Sequence, residues 1–371
     1  MELIRVGWLI TFILLTGGIA EAQWIQQPSN TKADLRGLSA VSSTVAWASG
    51  SGGTFARTTD GGATWQAATV EGAAALDFRD VDAFDDKMAY LLSAGNGELS
   101  RIYKTTDGGI HWQLQFTNGN HEAFFDAMAF WDRDHGIAFS DPVGDHFIII
   151  TTDDGGETWN QVPAEKIPAA ITGEAAFAAS GTCITVEGKS AVWIATGGGA
   201  ARVFRSTDRG RTWAVSQTPI TSGVQSAGIF SIAFKGARNG IIVGGDYQKP
   251  DEANASVAAT TDGGQTWKLV ARSYPAGYRS AVAYVPGARV QTLIAVGTSG
   301  SDYSVDGGVN WIKLDKENYN SVSFARTGGA GWAAGPAGRI AKFTGKLPKK
   351  MVFIERVVRP GHGSNKWRGL T

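Results

Sequence analysis

The residues of this chain best suited to chemistry are charged side chains that lie far apart in the sequence. Arginines bind carboxylates through paired N–H donors, and two carboxyl groups in one site can hydrolyse a glycosidic bond. The arginines concerned are Arg36, Arg79 and Arg279. The carboxylates that could accompany them are Asp126, Glu174, Asp141 and Asp246. Such residues form a site only if the fold brings them together.

A repeated motif indicates which fold does so. It first occurs at residues 58–65 (TTDGGATW) and reads Ser/Thr-x-Asp-x-Gly-x-x-Trp. A short Asp side chain accepts hydrogen bonds from nearby backbone N–H groups, and Gly adopts positive φ, so the motif predicts a tight turn between two strands. The Trp then buries an apolar face in the next strand. The six copies carry the pairs Asp60 and Trp65, Asp107 and Trp112, Asp154 and Trp159, Asp208 and Trp213, Asp262 and Trp267, and Asp306 and Trp311.

The spacing of the motif predicts the architecture. The six Trp residues are 47, 47, 54, 54 and 44 residues apart, which is the period of one four-stranded propeller blade. The first blade is predicted at 36–41, 45–49, 54–58 and 65–69, and the next five at 78–116, 125–162, 174–216, 229–271 and 278–314.

A seventh blade is predicted at 320–325, 331–335 and 339–343, where the motif and the outer strand are missing. Residues 23–27 resemble the strand that follows each motif but have no turn before them. The sequence therefore predicts an all-β, seven-bladed β-propeller over residues 23–345, built from four-stranded blades and closed by the N-terminal strand.

The motif resembles the Asp-box of the sialidase-type (BNR) propellers. In addition, residues 35–38 (LRGL), 47–50 (WASG) and 57–65 (RTTDGGATW) are similar to the plant photosystem II stability/assembly factor family of WD40/YVTN/BNR-like repeat proteins. The resemblance covers roughly residues 24–345. It implies a propeller that holds a membrane-protein subunit during assembly. The Asp-box itself occurs in enzymes and binding proteins alike, so it indicates fold more than function.

The two ends of the chain differ from the repeats. Residues 1–22 contain Arg5, an apolar run from Val6 to Ile19 and small residues before position 23, which predicts a signal peptide cleaved after Ala22 and a periplasmic or secreted protein. A retained membrane anchor is the alternative. Residues 346–371 carry seven basic residues and one acidic residue, although the whole chain has a net charge of zero. They are predicted to be a flexible tail, which is either simply solvated or docks on an acidic partner or anionic lipid.

One residue per blade is predicted to surround the channel mouth, on the face away from the motif turns. Aligning the inner strands on Leu38, Val81, Met128, Ala176, Ile232, Ala281 and Val322 places seven residues two positions earlier. These are Arg36, Arg79, Asp126, Glu174, Phe230, Arg279 and Asn320. The hairpins at 140–146 and 245–252 add His146 and Tyr247. Charged residues in a narrow mouth focus an electric field, although salt bridges between blades would also explain them.

The favoured function is an exported, non-catalytic monomer that binds a protein or peptide at this mouth. The alternative is a secreted glycoside hydrolase acting on a glycan, with its acids among Asp126, Glu174, Asp141 and Asp246. No cofactor or metal is expected, because the five His residues lack ligand spacing and the single cysteine, Cys183, can form neither a Cys-x-x-Cys motif nor an intramolecular disulfide. An exported, acidic ring also argues against nucleic acid as a partner.

Overall fold

Seven antiparallel β-sheets surround a central channel in the computed structural model, which describes residues 23–347 except 271, 289, 327 and 328. The predicted signal peptide and nearly all of the predicted tail lie outside the described residues. The strands of the ring run from Trp24 to Phe343, and the all-β, seven-bladed fold is confirmed.

The strands are numbered along the chain. β1 (Trp24–Gln27) precedes the first blade. Blade 1 comprises β2 (Leu35–Ala40), β3 (Ala46–Gly50), β4 (Thr54–Thr58) and β5 (Gln66–Thr69). Blade 2 comprises β6 (Phe78–Ala83), β7 (Ala89–Ser93), β8 (Arg101–Thr105) and β9 (Gln113–Thr117). Blade 3 comprises β10 (Phe125–Phe130), β11 (Gly136–Val143), β12 (His146–Thr152) and β13 (Asn160–Gln161).

Two further short strands extend the sheet of blade 5. Blade 4 comprises β15 (Ile184–Glu187), β16 (Ala191–Ala195), β18 (Arg202–Ser206) and β19 (Ala214–Gln217). Blade 5 comprises β20 (Ala227–Lys235), β21 (Asn239–Asp246), β22 (Val257–Thr260) and β23 (Lys268–Leu269), extended by β14 (Glu174–Ala175) and β17 (Gly197–Gly198). Blade 6 comprises β24 (Ala281–Tyr284), β25 (Leu293–Gly297), β26 (Gly300–Ser304) and β27 (Ile312–Asp315).

The N-terminal strand completes the seventh blade. β28 (Ser321–Phe324), β29 (Gly331–Ala334) and β30 (Ile340–Phe343) supply three strands, and β1 pairs antiparallel with β30 from Trp24↔Phe343 to Gln27↔Ile340. The predicted closure is confirmed. Three 3₁₀ turns, Gly97–Leu99, Ala164–Lys166 and Pro336–Gly338, are the helical elements of the described residues. Within that part of the chain, no helix has the length and apolar character needed to cross a membrane.

Each motif turn is stabilised by one repeated set of hydrogen bonds. Thr58 Oγ1 donates to Asp60 Oδ1 (2.9 Å) and accepts from Gly62 N (2.8 Å), and the Asp60 carboxylate accepts from Thr64 N (2.9 Å) and Thr64 Oγ1 (2.6 Å). Gly61 and Gly62 have φ of 75° and 87°, which a side chain resists. The same arrangement surrounds Asp107, Asp154, Asp208, Asp262 and Asp306.

The motif turns lie beside the hairpins between first and second strands. Gly61 N donates to Thr44 O in blade 1, and Gly108 N donates to Lys87 O in blade 2. We call this side of the ring the Asp-box face and the opposite side the mouth face. After each turn the Trp packs into a blade: Trp65, Trp267 and Trp311 are buried, and Trp112, Trp159 and Trp213 are half-buried.

Neighbouring blades are joined along the channel wall by side chains that accept hydrogen bonds from backbone N–H groups of the next blade. Ser39 Oγ accepts from Ala83 N (3.1 Å), and Asp82 Oδ2 accepts from Phe130 N (2.9 Å). Ser323 closes the series by accepting from Ala40 N (3.0 Å). The same position is thus serine in blades 1 and 7 and aspartate in blade 2.

Candidate binding site at the channel mouth

Four of the predicted mouth residues coincide with β-bulges in the inner strands. In blade 1 the pairing passes from Leu35↔Gly50 to Gly37↔Ser49, so Arg36 is the extra residue. The same irregularity surrounds Arg79, Asp126 and Phe230. A bulge turns the extra side chain away from its regular direction. In these four blades the repeat thus directs one side chain into the mouth.

The structure corrects the placement of Glu174. Its strand joins the sheet of blade 5 through Gly197–Gly198, and the inner strand of blade 4 begins ten residues later, at Ile184. The Glu174 carboxylate is buried and forms an ion pair with the guanidinium of Arg202, which also donates to Ala169 O (2.8 Å). Glu174 therefore contributes to internal packing rather than to the mouth.

The placement of Arg279 is also corrected, by one residue. Val282 N donates to Ser231 Oγ in blade 5, just as Met128 N donates to Asp80 Oδ2 in blade 2, so Val282 and not Ala281 is the counterpart of Met128. Ser280 consequently occupies the mouth position of blade 6. Arg279 is fully buried and forms an ion pair with Asp302.

A segment of the chain itself lies across the channel. We call residues 176–181 the plug. Ala176 N donates to Asp141 Oδ1 (2.7 Å), Arg79 donates to Ala178 O (3.2 Å) and Arg36 donates to Ala179 O (3.5 Å). These contacts reach blades 1, 2 and 3, so the plug spans the inner ring.

Two further contacts fix the plug to the other side of the channel. Phe177 stacks on Phe230 of blade 5, with ring centroids 3.8 Å apart and planes 8° apart. Ser180 Oγ donates to Ser280 O in blade 6 (2.9 Å). The plug lies between Trp159 and Trp213, which are 54 residues apart. This wider spacing was the sign of an insertion in the sequence.

A cavity of about 680 Å³ opens on the mouth face, with plug residues in its wall. Six of the predicted mouth residues line it: Arg36, Arg79, Asp126, Phe230, Asn320 and Tyr247. Asp141 lines it as well, and the sequence analysis missed the contributions of Phe124, Phe177, Tyr278 and Ser280. The cavity thus combines two guanidinium groups with aromatic walls.

Glu174, Arg279, His146 and Asp246 lie outside the lining of this cavity. His146 Nδ1 lies 2.7 Å from Asp145 Oδ1, and Asp246 Oδ1 accepts from Gln248 N (2.9 Å). Both side chains belong to hairpins of the mouth face, as predicted, but they interact with their own loops.

The two arginines of the cavity are positioned by acidic neighbours. Arg36 pairs with Asp34 (3.0 Å) and Arg79 pairs with Asp77 (2.8 Å), and both arginines keep about a quarter to a third of their side chains exposed. Asn320 Nδ2 donates to Asp34 Oδ1 (2.9 Å), which fixes that carboxylate in turn. Each guanidinium is held at the cavity wall and still has N–H groups for a ligand.

Asp126 and Asp141 form the acidic part of the cavity. Burial raises the pKa of Asp126 well above its usual value, and repulsion from Asp141 raises it further against the attraction of Arg79. Burial also raises the pKa of Asp141, to about 6. Asp126 Oδ2 is buried and has no hydrogen-bond partner among the described residues. Both carboxyl groups are thus protonated more easily than ordinary aspartates are.

Within the described part of the chain, the histidines do not assemble into a metal site. His135 lies beside Asp132 on the Asp-box face, whereas His146 lies on the mouth face. His111 takes the Thr place of the second Asp-box, with its Nδ1 2.7 Å from Asp107 Oδ2. Across the described ranges, no three His, Cys, Asp or Glu side chains are arranged to bind a metal ion.

The fold has well-matched counterparts among solved structures. The structure is similar to YCF48. Residues covering 88% of this chain superpose on 96% of YCF48 bound to D1 peptide, with a TM-score of 0.62 and 18% identity. YCF48 from Cyanidioschyzon merolae gives a TM-score of 0.62 at 16% identity, covering 87% of this chain and 99% of that one. The fold expected from the photosystem II assembly-factor resemblance is confirmed.

An enzyme shares the architecture as well. The GH74 xyloglucanase from Xanthomonas campestris matches with a TM-score of 0.58 at 17% identity, over 86% of this chain and 53% of the enzyme. No protein-family model matches the sequence, and no curated protein matches it either. At these identities the similarities establish the fold alone.

Proposed function

We propose that this chain is an exported, non-catalytic propeller that binds a peptide segment of another protein in the mouth cavity. The observation that carries the proposal is that Arg36 and Arg79 already donate hydrogen bonds to backbone carbonyls, those of Ala179 and Ala178 in the plug. The same guanidinium groups line an open cavity. They are therefore suited to bind the carbonyls or the carboxylates of an incoming peptide.

The aromatic walls supply the second part of a peptide site. Phe177, Phe230 and Tyr278 form a contiguous aromatic group, with Phe230 and Tyr278 centroids 4.7 Å apart and nearly perpendicular. Tyr247 extends this group outward, because its side chain is half exposed and contacts Phe230 edge-on. Aromatic residues beside arginine are common at the centres of protein interfaces. The similarity to YCF48, whose structure contains a D1 peptide, supports this class of partner.

The test uses a crosslinking amino acid at Tyr247, introduced into the wild-type background and into the Arg36→Ala/Arg79→Ala double variant. The wild-type background should crosslink a peptide segment that mass spectrometry can identify. A synthetic copy of that segment should then bind at least tenfold more weakly to the double variant. The matched control is Arg209→Ala/Arg211→Ala, which removes one half-buried and one exposed arginine from the Asp-box face. Equal binding by all three chains would refute the mouth as the binding site.

A secreted glycoside hydrolase remains the second candidate, and one observation favours it. Asp126 and Asp141 both line the cavity, and a carboxyl group with a raised pKa suits general acid catalysis. Against it, Asp126 Oδ2 is buried and Asp141 accepts a hydrogen bond from the plug. Hydrolysis of a xyloglucan or sialoside panel that is lost in both Asp126→Asn and Asp141→Asn would establish the enzyme.

Export is stated here as a proposal because the argument for it depends on residues 1–22, which lie outside the described residues. The support is the arginine followed by an apolar run and by small residues before Gln23. Mass spectrometry of the protein from its native cell should give a mature chain beginning at Gln23. An intact Met1 terminus in an envelope fraction would instead support the retained anchor.

A further inference from the structure

The charged side chains of the mouth cavity differ in whether they are paired. Arg36 and Arg79 form ion pairs with Asp34 and Asp77, two acids that do not line the cavity. On the side of blade 3, the cavity is lined by three further acids, Glu122, Asp126 and Asp141. We call these three residues the acidic corner. In the part of the chain that the structure describes, none of them forms an ion pair with a basic side chain. Negative charge is therefore in excess on this side of the mouth.

Asp126 is the unsatisfied polar group of the acidic corner. The β-bulge turns its side chain toward the mouth, and the residue lines the cavity although it is only 1% exposed. Its Oδ2 atom has no hydrogen-bond partner among the residues that are described. Asp141 repels Asp126, and the attraction of Arg79 offsets this only in part. A buried polar group without a partner costs free energy, so this corner lacks a positive charge that a ligand can supply.

Asp141 is the member of the acidic corner that a ligand reaches directly. The residue is half-buried, and its Oδ1 atom accepts a hydrogen bond from Ala176 N (2.7 Å), which fixes the carboxylate. Glu122 is exposed and adds a second negative charge to the same cavity. A cation that binds to Asp141 also offsets the repulsion between Asp141 and Asp126. All three acids therefore favour a positively charged ligand group.

Aromatic side chains border the acidic corner. Phe124 is half-buried and lines the cavity, and its carbonyl oxygen accepts a hydrogen bond from Asp141 N (2.9 Å). Phe177 of the plug also lines the cavity and directly follows Ala176, which binds Asp141. Aromatic faces attract the cations of Lys and Arg, and the apolar stems of these side chains pack against rings. Carboxylates and aromatic rings together suit a basic side chain.

We propose that the acidic corner binds a basic side chain of the incoming peptide, a Lys ammonium or an Arg guanidinium, while Arg36 and Arg79 bind oxygen atoms of the same peptide. This inference rests on the proposed function and adds the class of peptide to it. The two charged sides of the cavity then have separate roles. The arginines hold the peptide backbone or its carboxylates, and the acids select a positive charge beside them.

Synthetic peptides that differ in one charge test the selectivity. The probes are acetyl-Ala-Phe-Lys-Ala-amide and its two analogues with Gln or Glu in place of Lys. Their binding to the full chain is measured by NMR titration at neutral pH, where Asp141, with a pKa of about 6, is ionised. The Lys peptide should bind about tenfold more tightly than the Gln peptide, and the Glu peptide should bind most weakly. Equal binding of the Lys and Gln peptides, tightest binding of the Glu peptide, or no binding of the Lys peptide would overturn the proposal.

Variants of the acidic corner locate the preference for Lys. Asp141→Asn removes the charge but keeps an acceptor for Ala176 N, and it should abolish the preference. Glu122→Gln changes an exposed side chain, so it does not endanger folding, and it should weaken the Lys peptide about threefold. The matched control is Asp145→Asn, which removes an exposed acid of the same hairpin outside the cavity lining and should keep the preference. A preference for Lys that survives in both Asp141→Asn and Glu122→Gln would overturn the proposal.

The double variant Arg36→Ala/Arg79→Ala separates this inference from the proposed function. It should weaken all three peptides, because they share the same backbone carbonyls, and leave the order of their affinities unchanged. Weaker binding by the double variant, without a preference for Lys in the wild type, would refute the acidic corner and leave the peptide site in place. A preference for Lys that is lost in Asp141→Asn, with equal binding by the double variant, would support the acidic corner and refute the role proposed for the arginines.

Discussion

Aspartate is used in opposite ways on the Asp-box face and in the channel. On the Asp-box face, hydrogen bonds from the residue four positions on lower the pKa of Asp60, Asp107 and Asp154 to about 2. In the channel, burial raises the pKa of Asp82 and Asp141 to about 6. Both groups accept backbone hydrogen bonds, but each Asp-box carboxylate also accepts side-chain hydrogen bonds, which lower its pKa.

Loss of access to water is the main cause of the raised pKa values in the channel. The Asp-box carboxylates are solvated, and their hydrogen bonds stabilise the ionised form at little cost. Asp82 also accepts from Phe130 N, but its removal from water favours the neutral form more strongly than this bond favours the charge. The repeated aspartates thus stay ionised near neutral pH and stabilise the turns as charged groups. Asp82 and Asp141 in the channel instead change their protonation state near pH 6.

The largest effect is expected at the buried ion pair of Glu174 and Arg202. Arg202→Ala leaves Glu174 as an unpaired buried charge, which typically costs about 3–5 kcal/mol of unfolding free energy. Arg36→Ala is the control, because the Arg36–Asp34 pair is partly exposed and should contribute less than about 1 kcal/mol. Urea denaturation measures both. Similar losses in the two variants would contradict the role assigned to burial.

A smaller effect is expected from the pH dependence of Asp82. Its folded pKa of about 6 exceeds the usual 3.8, so its contribution to stability is fully present below about pH 4 and is lost as the pH rises through 6. The loss is on the order of 3 kcal/mol. Asp82→Ser should remove it and keep the hydrogen bond from Phe130, because Ser39 and Ser323 serve the same position.

Urea midpoints between pH 4 and pH 7 measure this change. The profile of Asp82→Ser should be flatter than that of the wild type. Asp154→Asn is the matched control, since a group with a pKa of about 2 does not titrate in this interval. A wild-type slope that survives in Asp82→Ser would show that Asp82 is ionised in the folded protein throughout.

The smallest effect is expected at a single Asp-box. Asp154→Ala removes the acceptor of Thr158 N (2.9 Å) and Thr158 Oγ1 (2.6 Å) and should cost about 1 kcal/mol. Its lowered pKa means that this contribution is lost as the pH falls from about 4 through 2. Glu157→Ala, an exposed neighbour, is the control, and ligand binding at the mouth should be unchanged. A loss of binding without a loss of stability would contradict a purely structural role.

The difference between repeated and unique features also decided what the sequence could predict. Each motif carries its own turn chemistry, so the six turns, the blade count and the closing strand followed from local pattern and period. Arg36, Arg79 and Asp126 followed as well, because blades 1 to 3 keep a regular repeat. The positions of their guanidinium and carboxyl groups relative to a ligand did not follow from it.

The two misplaced residues show where local pattern is insufficient. In blade 6, Ala281 and Val282 are both apolar, so alternation alone does not select the register, and a shift of one residue moved the prediction from Ser280 to Arg279. In blade 4, the insertion before Ile184 displaced the alignment to Glu174. The plug is stabilised by contacts between residues distant in sequence. One example is the hydrogen bond from Arg79 to Ala178 O, and no local rule predicts such a contact.

The pairing of β1 with β30 has a consequence for the time course of folding. Trp24 reaches its partner Phe343 only after nearly the whole described chain has been synthesised, and it also donates a hydrogen bond to Ser301 Oγ in blade 6 (3.2 Å). Contacts so distant in sequence carry a large entropic cost of closure and form slowly. We therefore expect the ring to close late, with the first strand unpaired until the last blade has folded and at risk of aggregation during that interval.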